Sequence, residues 1–368
     1  MARDSGGSRS ELSRSEVLRR RLATQRLTTQ GPATAAEVVN LLGCVQSQEW
    51  AHGFWSLGLR TGSPEGGLSY ADVLREFDSG DFLRTHILRP TWHYVTPEDI
   101  GWILTATSAR VHQRNEGMYR QTGLDPDTRD RATAVLLEAL AGGTALTRPE
   151  LGALLADHGI EATGMRLAYI VMAAELDGLV ASGPLRGSQH TYRRLDELLA
   201  DRSIRRPEDP TAELLFRFLA GHGPATVADF TRWSSATSAD AQAAVERLEG
   251  RVLAAEVDGL TVWWTADVPE PAALGEQAWL IPLYDELTLS YPKINFSPAD
   301  GHPHPPGEDL FRGSVIIDDR NVGLWKRTVA GRRVAVELEL ASTCTAADQR
   351  AARGAAERLA HFLGRDLV

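Results

Sequence analysis

Lysine and cysteine are both scarce in this 368-residue sequence. Only Lys293 and Lys326 are present, so 37 of the 39 basic residues are arginines. An enzyme that works through a lysine Schiff base therefore has just two candidate nucleophiles. The two cysteines, Cys44 and Cys344, lie far apart in the sequence and can form neither a disulfide framework nor a cysteine zinc site.

Long apolar runs are also absent. The longest is well short of the roughly 18–20 residues that a membrane helix needs. Residues 1–8 (MARDSGGS) are polar and carry no secretion signal, so we expect a cytoplasmic, nucleoid-associated protein that does not contact a membrane. Hydrophobic residues make up 43% and charged residues 24%, which excludes a fully disordered or fibrous chain.

Three segments share an order of helices followed by two β-type runs, which is typical of a winged helix. In the first, helical patterns precede a hairpin at residues 83–95. The pattern recurs at 130–195 and 211–266, where residues 176–182 (LDGLVAS) match residues 248–254 (LEGRVLA). Internal repetition of this kind predicts tandem copies of one module.

The last hundred residues differ, with several strand-like runs and an amphipathic helix at 346–363. We therefore predict an α+β fold with three tandem winged-helix modules and a small β-rich C-terminal unit closed by a helix. Residues 291–309 are rich in proline and histidine and are predicted to form a long loop or hairpin. The predicted segments are a disordered N-terminus at 1–12, modules at 13–127, 128–207 and 208–270, and the C-terminal domain at 271–368.

Tandem winged helices make duplex DNA the expected partner, although the net charge is −10. Binding depends on where positive charge lies, and arginines concentrate in the N-terminal arm and in the wing of the second module. Arginine-rich loops are also common as solvated surface, and this alternative stays open. The candidate DNA-binding arginines are Arg19, Arg20, Arg186, Arg193 and Arg194.

The most unusual segment is LGCVQSQEW at residues 42–50. In a helix, Gln46 and Gln48 would diverge by about 200°, whereas in an extended chain they would share a face. Spacing alone favours a structural hydrogen-bond network at a helix end. Glu49 is a second candidate, as a catalytic carboxylate, and Trp50 is a candidate contact to DNA.

Four stretches carry a family resemblance: residues 46–48 (QSQ), 89–93 (RPTWH), 281–286 (IPLYDE) followed by Tyr291, and 322–325 (VGLW). Together they make the whole chain resemble the AlkZ and YcaQ family of winged-helix DNA glycosylases. The Gln-x-Gln form resembles the AlkZ branch, because the YcaQ branch carries Gln-x-Asp.

The resemblance implies a monofunctional glycosylase that releases bulky N-alkylated purines of the N7-alkylguanine type and unhooks interstrand crosslinks. It also implies a role in DNA repair and in self-resistance to an alkylating antibiotic such as azinomycin. Gln46 and Gln48 would position the attacking water, since an amide cannot act as a general base. We expect damaged double-stranded DNA as the partner, a monomer, no cofactor, no metal and no lyase activity.

Further candidates lie near the other stretches. Thr91, His93 and Tyr291 are expected to lie close to the lesion or to line the DNA groove, although a histidine in a strand is more often a structural hydrogen bonder. Asp285 and Glu286 are possible accessory residues. His302 and His304 invite a metal assignment, but no third ligand has the usual spacing.

Two other classes of function fit a tandem winged-helix chain. One is a transcription regulator, which would bind undamaged DNA tightly and with sequence selectivity. The other is a resistance protein that sequesters the free genotoxin, and it would bind that compound without DNA.

Overall fold

The computed structural model describes residues 10–62, 67–271, 277–303 and 311–368. A short strand and a helix precede the first winged-helix segment, whose three helices accompany a three-stranded sheet. These elements are β1 (Ser10–Glu11), α1 (Arg14–Thr24), α2 (Ala35–Leu42), β2 (Val45–Gln46), α3 (Trp50–Gly58), α4 (Tyr70–Ser79), β3 (Leu83–His86) and β4 (Trp92–Val95). Both β2 and β3 pair antiparallel with β4, so β4 is the central strand.

Side chains visible in the sequence begin most of these helices. Ser13, Thr34 and Ser69 accept a backbone N–H from an acidic residue three positions later, which completes a capping box at α1, α2 and α4. Helix α3 was not predicted, because its sequence WAHGFWSLG contains two glycines, three aromatic residues and a histidine, all weak helix formers.

A 25-residue helix, α5 (Pro97–Gln121), follows the first hairpin, and the sequence patterns did not predict it. The second winged-helix segment comes next and repeats the sheet order of the first. Its elements are α6 (Pro126–Ala139), β5 (Leu146–Thr147), α7 (Arg148–Asp157), α8 (Gly164–Leu176), β6 (Val180–Arg186), β7 (Gln189–Arg194) and the short α9 (Leu195–Leu198).

The third segment contains α10 (Pro210–His222), α11 (Val227–Ser234), α12 (Ser238–Arg247), β8 (Val252–Val257) and β9 (Leu260–Thr265). This segment has an isolated antiparallel β-bridge between Ala225 and Trp263 where the other two segments have their first strand. On the other edge, β1 pairs parallel with β8. Residues 10–12 are thus ordered by backbone hydrogen bonds, so the predicted disorder of residues 1–12 is wrong there. Residues 1–9 lie outside the described part.

The C-terminal segment is rich in strands, and a helix closes it as predicted. Its elements are β10 (Ala278–Ile281), α13 (Glu286–Leu289), β11 (Ser297–Pro298), β12 (Gly313–Ile317), β13 (Arg320–Ala330), β14 (Arg333–Leu340), α14 (Ala346–Leu363) and β15 (Asp366–Leu367). One sheet runs β10–β12–β13–β14–β15, and β11 pairs with β13. Residues 304–310, which include His304 and part of the predicted loop, lie outside the described residues.

The hydrophobic core of the first segment continues into the C-terminal unit. Trp55 of α3 packs on Phe362 of α14 with ring centroids 5.1 Å apart. Its indole Nε1 donates to the carbonyl of Leu280 on β10 at 2.8 Å. Full burial of one large apolar side chain stabilises a fold by roughly 1.5–3 kcal/mol, so these contacts hold α3 firmly on the C-terminal unit.

The structure is therefore an α+β fold with a winged-helix arrangement, as the sequence predicts. The division into separate domains at the stated boundaries stays a prediction, and the shared core shows that the first and last segments pack as one body. None of the helices in the described ranges is long and apolar enough to cross a membrane.

Candidate active site

The Gln-x-Gln segment is extended at its first glutamine. Helix α2 ends at Gly43, whose φ of +76° is a conformation that glycine adopts most readily. The chain then enters β2, where Gln46 lies opposite His93 of β4. Of the two geometries considered for this segment, the extended one is therefore present at Gln46, and Gln48 follows in the bend before α3.

Gln46 is held at both its backbone and its side chain. Its backbone N–H donates to Oε1 of Glu286 at 2.8 Å, and its Oε1 accepts from Nη2 of Arg89 at 2.7 Å. The side chain is largely buried, with 7% of its surface exposed. One lone pair of Oε1 and both N–H groups of the amide stay available, since they have no partner among the described residues.

His93 braces Arg89 from the central strand. Its Nδ1 lies 2.9 Å from the carbonyl of Thr91, and its Nε2 lies 3.1 Å from Nη2 of Arg89. Because a carbonyl and a guanidinium cannot exchange roles, Nδ1 carries the proton and Nε2 accepts. Complete burial, together with the charge of Arg89, lowers the pKa of His93 to about 3, so the imidazole is neutral at pH 7.

Glu286 lies buried beneath the glutamine. Its Oε2 accepts from Oγ of Ser290 at 2.8 Å and lies 3.4 Å from Nε2 of His222. Burial by itself raises the pKa of this carboxyl, but the interaction with His222 and the charge of Arg89 outweigh it and lower the pKa to about 2. Glu286 is therefore charged at neutral pH next to the backbone of Gln46, as one half of a buried pair with His222.

An open cleft of about 640 Å³ borders Gln46. It lies between β2, the β3–β4 turn, the last turns of α5 and α11, and the start of α12. Its wall is formed by Gln46, Arg89, Arg114, Thr231, Arg232, Ala236, Thr237, Ser238, Tyr284 and Leu289. The cleft is large enough for a sugar and a water molecule, and Gln46 presents the polar groups described above at its edge.

Gln48 is half-buried, and its amide makes no hydrogen bond to the residues that the structure describes. Glu49 next to it is exposed. Trp50 begins α3 and packs edge-to-face on Phe54 and on His190, with centroids 5.5 and 5.7 Å apart. These three residues are not part of the cleft wall, and their predicted roles stay predictions.

Two candidates near the lesion are buried structural residues. Tyr291 is 2% exposed, its hydroxyl donates to the carbonyl of His222 at 2.8 Å, and the guanidinium of Arg21 covers its ring at 3.6 Å. Asp285 forms two hydrogen bonds of 2.7 and 3.0 Å to the fully buried Arg60. The side chain of Tyr291 is therefore enclosed by protein, and its predicted place near the lesion stays a prediction.

His93 and Thr91 support the site from within the protein. His93 is fully buried and touches the site through Arg89 and through its strand pairing with Gln46, and its predicted place along the DNA groove stays a prediction. Thr91 is half-buried, and its carbonyl accepts the proton of His93. Both residues therefore belong to the support of the site.

Most of the arginines singled out in the sequence are paired with acids. Arg20 pairs with Glu270 at 3.2 Å, Arg186 with Glu150 at 2.7 Å, and Arg194 with Asp196. Arg193 is half-buried against the sheet, and Arg19 is exposed without an ion pair to the described residues. The predicted DNA path along these arginines therefore loses much of its free positive charge.

Sequence reasoning missed Arg114 and Arg232. They lie on α5, which was not predicted, and on α11, in a module for which the sequence offered no DNA-binding candidate. No local signal distinguishes them from other helical arginines, because their proximity to Gln46 arises from tertiary packing alone. Arg89 could have been found, since it belongs to the RPTWH stretch that carried the resemblance.

The repeated fold and the cleft beside the glutamine define a tandem winged-helix protein with a polar site on its first sheet. A family model described as "DNA glycosylase AlkZ-like" matches residues 39–362. The chain belongs to this AlkZ-like DNA glycosylase family, as the four stretches of sequence indicated.

Individual relatives agree with this assignment. The chain is 27% identical over 215 residues to an "Interstrand DNA cross-link repair glycosylase" of Streptomyces sahachiroi, and the match spans 56% of each protein, or about half the length of that relative. The solved structure of Streptomyces sahachiroi DNA glycosylase AlkZ superposes with a TM-score of 0.75 and 21% identity over 97% of this chain and 100% of that one. At that identity the superposition establishes the fold.

Proposed function

We propose that this chain hydrolyses the N-glycosidic bond of bulky N-alkylated purines in double-stranded DNA, including those in interstrand crosslinks. Family membership supports the reaction class, and the name of the Streptomyces relative supports the crosslink substrate. The single observation that carries the mechanism is the position of Gln46, whose amide is fixed by Arg89 at the edge of an open cleft.

The reaction requires little acid catalysis from the protein. An N7-alkylated guanine is positively charged and leaves without protonation, and cleavage passes through an oxocarbenium-like sugar. A water placed at C1′ then forms the new C–O bond and gives up its proton to the surrounding solvent, which completes hydrolysis. The free lone pair of Gln46 Oε1 accepts a hydrogen bond from that water and orients it. Gln48, two residues along but outside the cleft wall, is the candidate for a second amide.

The buried carboxylate of Glu286 adds a second contribution. Because its pKa is about 2, it remains charged at neutral pH, and its Oε1 lies 2.8 Å from the backbone nitrogen of Gln46. A negative charge fixed in a region of low dielectric stabilises positive charge that develops nearby. Glu286 thus favours the oxocarbenium ion electrostatically, without touching the substrate.

Among the described residues of the cleft wall, lyase chemistry finds no suitable amine. Lys326 forms an ion pair with Glu337 at 2.9 Å on the β13–β14 hairpin, and Lys293 lies in the segment after α13. Neither lysine is part of the cleft wall. The proposal is therefore a monofunctional hydrolase, used in DNA repair and in self-resistance to an alkylating agent.

The test is incubation of the protein with duplexes that carry a single N7-alkylguanine, an interstrand crosslink or no lesion. We expect free modified base, an intact abasic strand and no release from the undamaged duplex. Tight, sequence-selective binding of the undamaged duplex without base release would instead indicate a regulator. Binding of the free alkylating compound in the absence of DNA would indicate a sequestering protein.

A further inference from the structure

The cleft beside Gln46 carries unbalanced positive charge. Arg89, Arg114 and Arg232 contribute to its wall, and the remaining wall residues in the described part of the chain are neutral. The nearest carboxylate, Glu286, is buried and already engaged by Gln46, Ser290 and His222. Burial lowers the pKa of Arg89, the charge of the buried Glu286 raises it in part, and repulsion from Arg232 and Arg114 lowers it.

Arg114 and Arg232 are exposed and keep most of their hydrogen-bond donors free. Nη1 of Arg114 donates to Oγ of Ser235, and Nε of Arg232 donates to the carbonyl of Leu289, both at 2.9 Å. Neither forms an ion pair with a carboxylate in the described ranges. A guanidinium has five N–H groups, so about four remain on each for another partner.

These two arginines differ from the candidate arginines in the wing of the second module. Arg186 and Arg194 are neutralised by acids of their own module, as described above. Like charges held together without counter-charge destabilise a fold unless an anion binds between them. Planar guanidinium groups are well suited to phosphate oxygens, which they bind through paired hydrogen bonds.

We propose that Arg114 and Arg232 form a binding site for the DNA phosphodiesters that flank the nucleotide under attack. The inference rests on the proposed function and deepens it. Arg89 is occupied by Gln46, so it orients the amide, while the two exposed arginines hold the strand. Their anchors on separate helices, α5 and α11, fix the register of the backbone, and that register sets which sugar lies beside Gln46.

The experiment measures DNA binding by fluorescence anisotropy as a function of salt, with an undamaged duplex and with a duplex that contains an abasic-site analogue. The variants are Arg114→Gln, Arg232→Gln and the double variant. Arg120→Gln is the matched control, because Arg120 lies on the same helix α5, is exposed and pairs with Glu116. Arg232→Lys retains the positive charge but loses the guanidinium Nε that donates to Leu289. This variant therefore separates the effect of the charge from the effect of that hydrogen bond.

Each Gln variant is expected to reduce the slope of log K against log salt by about 0.9 and the affinity at 0.1 M salt by about eightfold. In the double variant the slope falls by about twice as much as in each single variant. Arg120→Gln and Arg232→Lys keep the slope of the parent. Unchanged slopes in the double variant, or an equal loss in Arg120→Gln, would overturn the proposal.

The readout also separates this inference from the proposed function. If the parent releases no alkylated base but the double variant still loses its salt slope, the phosphate site stands and the catalytic proposal fails. If the parent releases base and the salt slopes of the variants do not change, the catalytic proposal stands and the phosphate site fails. Thermal unfolding of each variant identifies any that is misfolded, and Arg114→Gln, which gives up only a surface contact to Ser235, provides the decisive comparison in that case.

Discussion

Nη2 of Arg89 donates to Oε1 of Gln46 at 2.7 Å and lies 3.1 Å from Nε2 of the neutral His93. Since a guanidinium has donors only, the amide of Gln46 is held with its oxygen toward Arg89. Two stretches that are distant in sequence, QSQ and RPTWH, are thereby joined in one hydrogen-bond network. The network gives the RPTWH stretch a physical role, which is to set the orientation of the amide.

Replacement of Arg89 by lysine tests that role. Lysine keeps the charge but loses the planar fork that contacts both Gln46 and His93. We expect kcat for base release to fall by about tenfold to a hundredfold, with KM within about threefold, because orientation is lost and strand binding is retained. Steady-state kinetics on an N7-alkylguanine duplex provide the measurement. A change confined to KM would mean that Arg89 serves binding instead.

The buried histidine makes stability depend on pH. The pKa of His93 is about 3 in the folded protein and near 6.5 in the unfolded chain, so only the unfolded state takes up this proton below pH 6.5. Its contribution is fully present above pH 6.5 and is lost at up to about 1.4 kcal/mol per pH unit as pH falls toward 3. Denaturant unfolding at pH 7 and 4.5 should show a smaller loss for His93→Gln than for the parent. An equal loss in both proteins would contradict this account of His93.

Two glycines in helices should respond in opposite directions to alanine. A Cβ added to Gly58 of α3 would lie 2.5 Å from the ring of Phe362, whereas none of the atoms in the described part lies within 4 Å of one added to Gly117 of α5. Gly58→Ala should destabilise the protein by about 1–3 kcal/mol through overpacking. Gly117→Ala should stabilise it by about 0.5–1 kcal/mol through helix propensity.

Thermal or denaturant unfolding measures both changes. Phe362→Leu in the Gly58→Ala background should restore part of the lost stability, since the smaller side chain makes room for the methyl group. If Gly58→Ala left the free energy of unfolding unchanged, α14 would not pack against α3 as closely as it does in the structure.

The lysines provide a test of the monofunctional proposal. Lys293→Ala and Lys326→Ala, singly and together, should release alkylated base at the parent rate, because neither lysine borders the cleft. Borohydride added during the reaction should trap no covalent DNA adduct. Loss of turnover together with a trapped adduct in the parent would instead identify a lyase.

Local chemistry made much of the fold predictable. Capping boxes at Thr34 and Thr345 mark helix starts in the sequence, and the Asp258–Gly259 turn has the positive φ angles of 49° and 75° that this pair tolerates. By contrast, α5 has no side-chain cap hydrogen bond, and its polar sequence gave a weak periodic signal.

The site was predictable only in part. Gln46 stood out because two amides beside an apolar helix need partners, but the identity of those partners depends on tertiary structure. Glu286 lies 240 positions away from Gln46 along the chain. Tyr291 is covered by Arg21, which lies on α1 and is similarly distant in sequence. Ion pairing of the wing arginines is equally a property of the folded chain, so composition overstated their free charge.

The most direct test of the central claim is single-turnover base release from an N7-alkylguanine duplex by Gln46→Ala, compared with the parent and with Gln121→Ala, an exposed glutamine at the end of α5. We expect Gln46→Ala to bind DNA normally but to release base about a hundredfold to a thousandfold more slowly, which is typical for loss of one group that stabilises a transition state. Gln121→Ala should match the parent. A parental rate in Gln46→Ala would contradict the account.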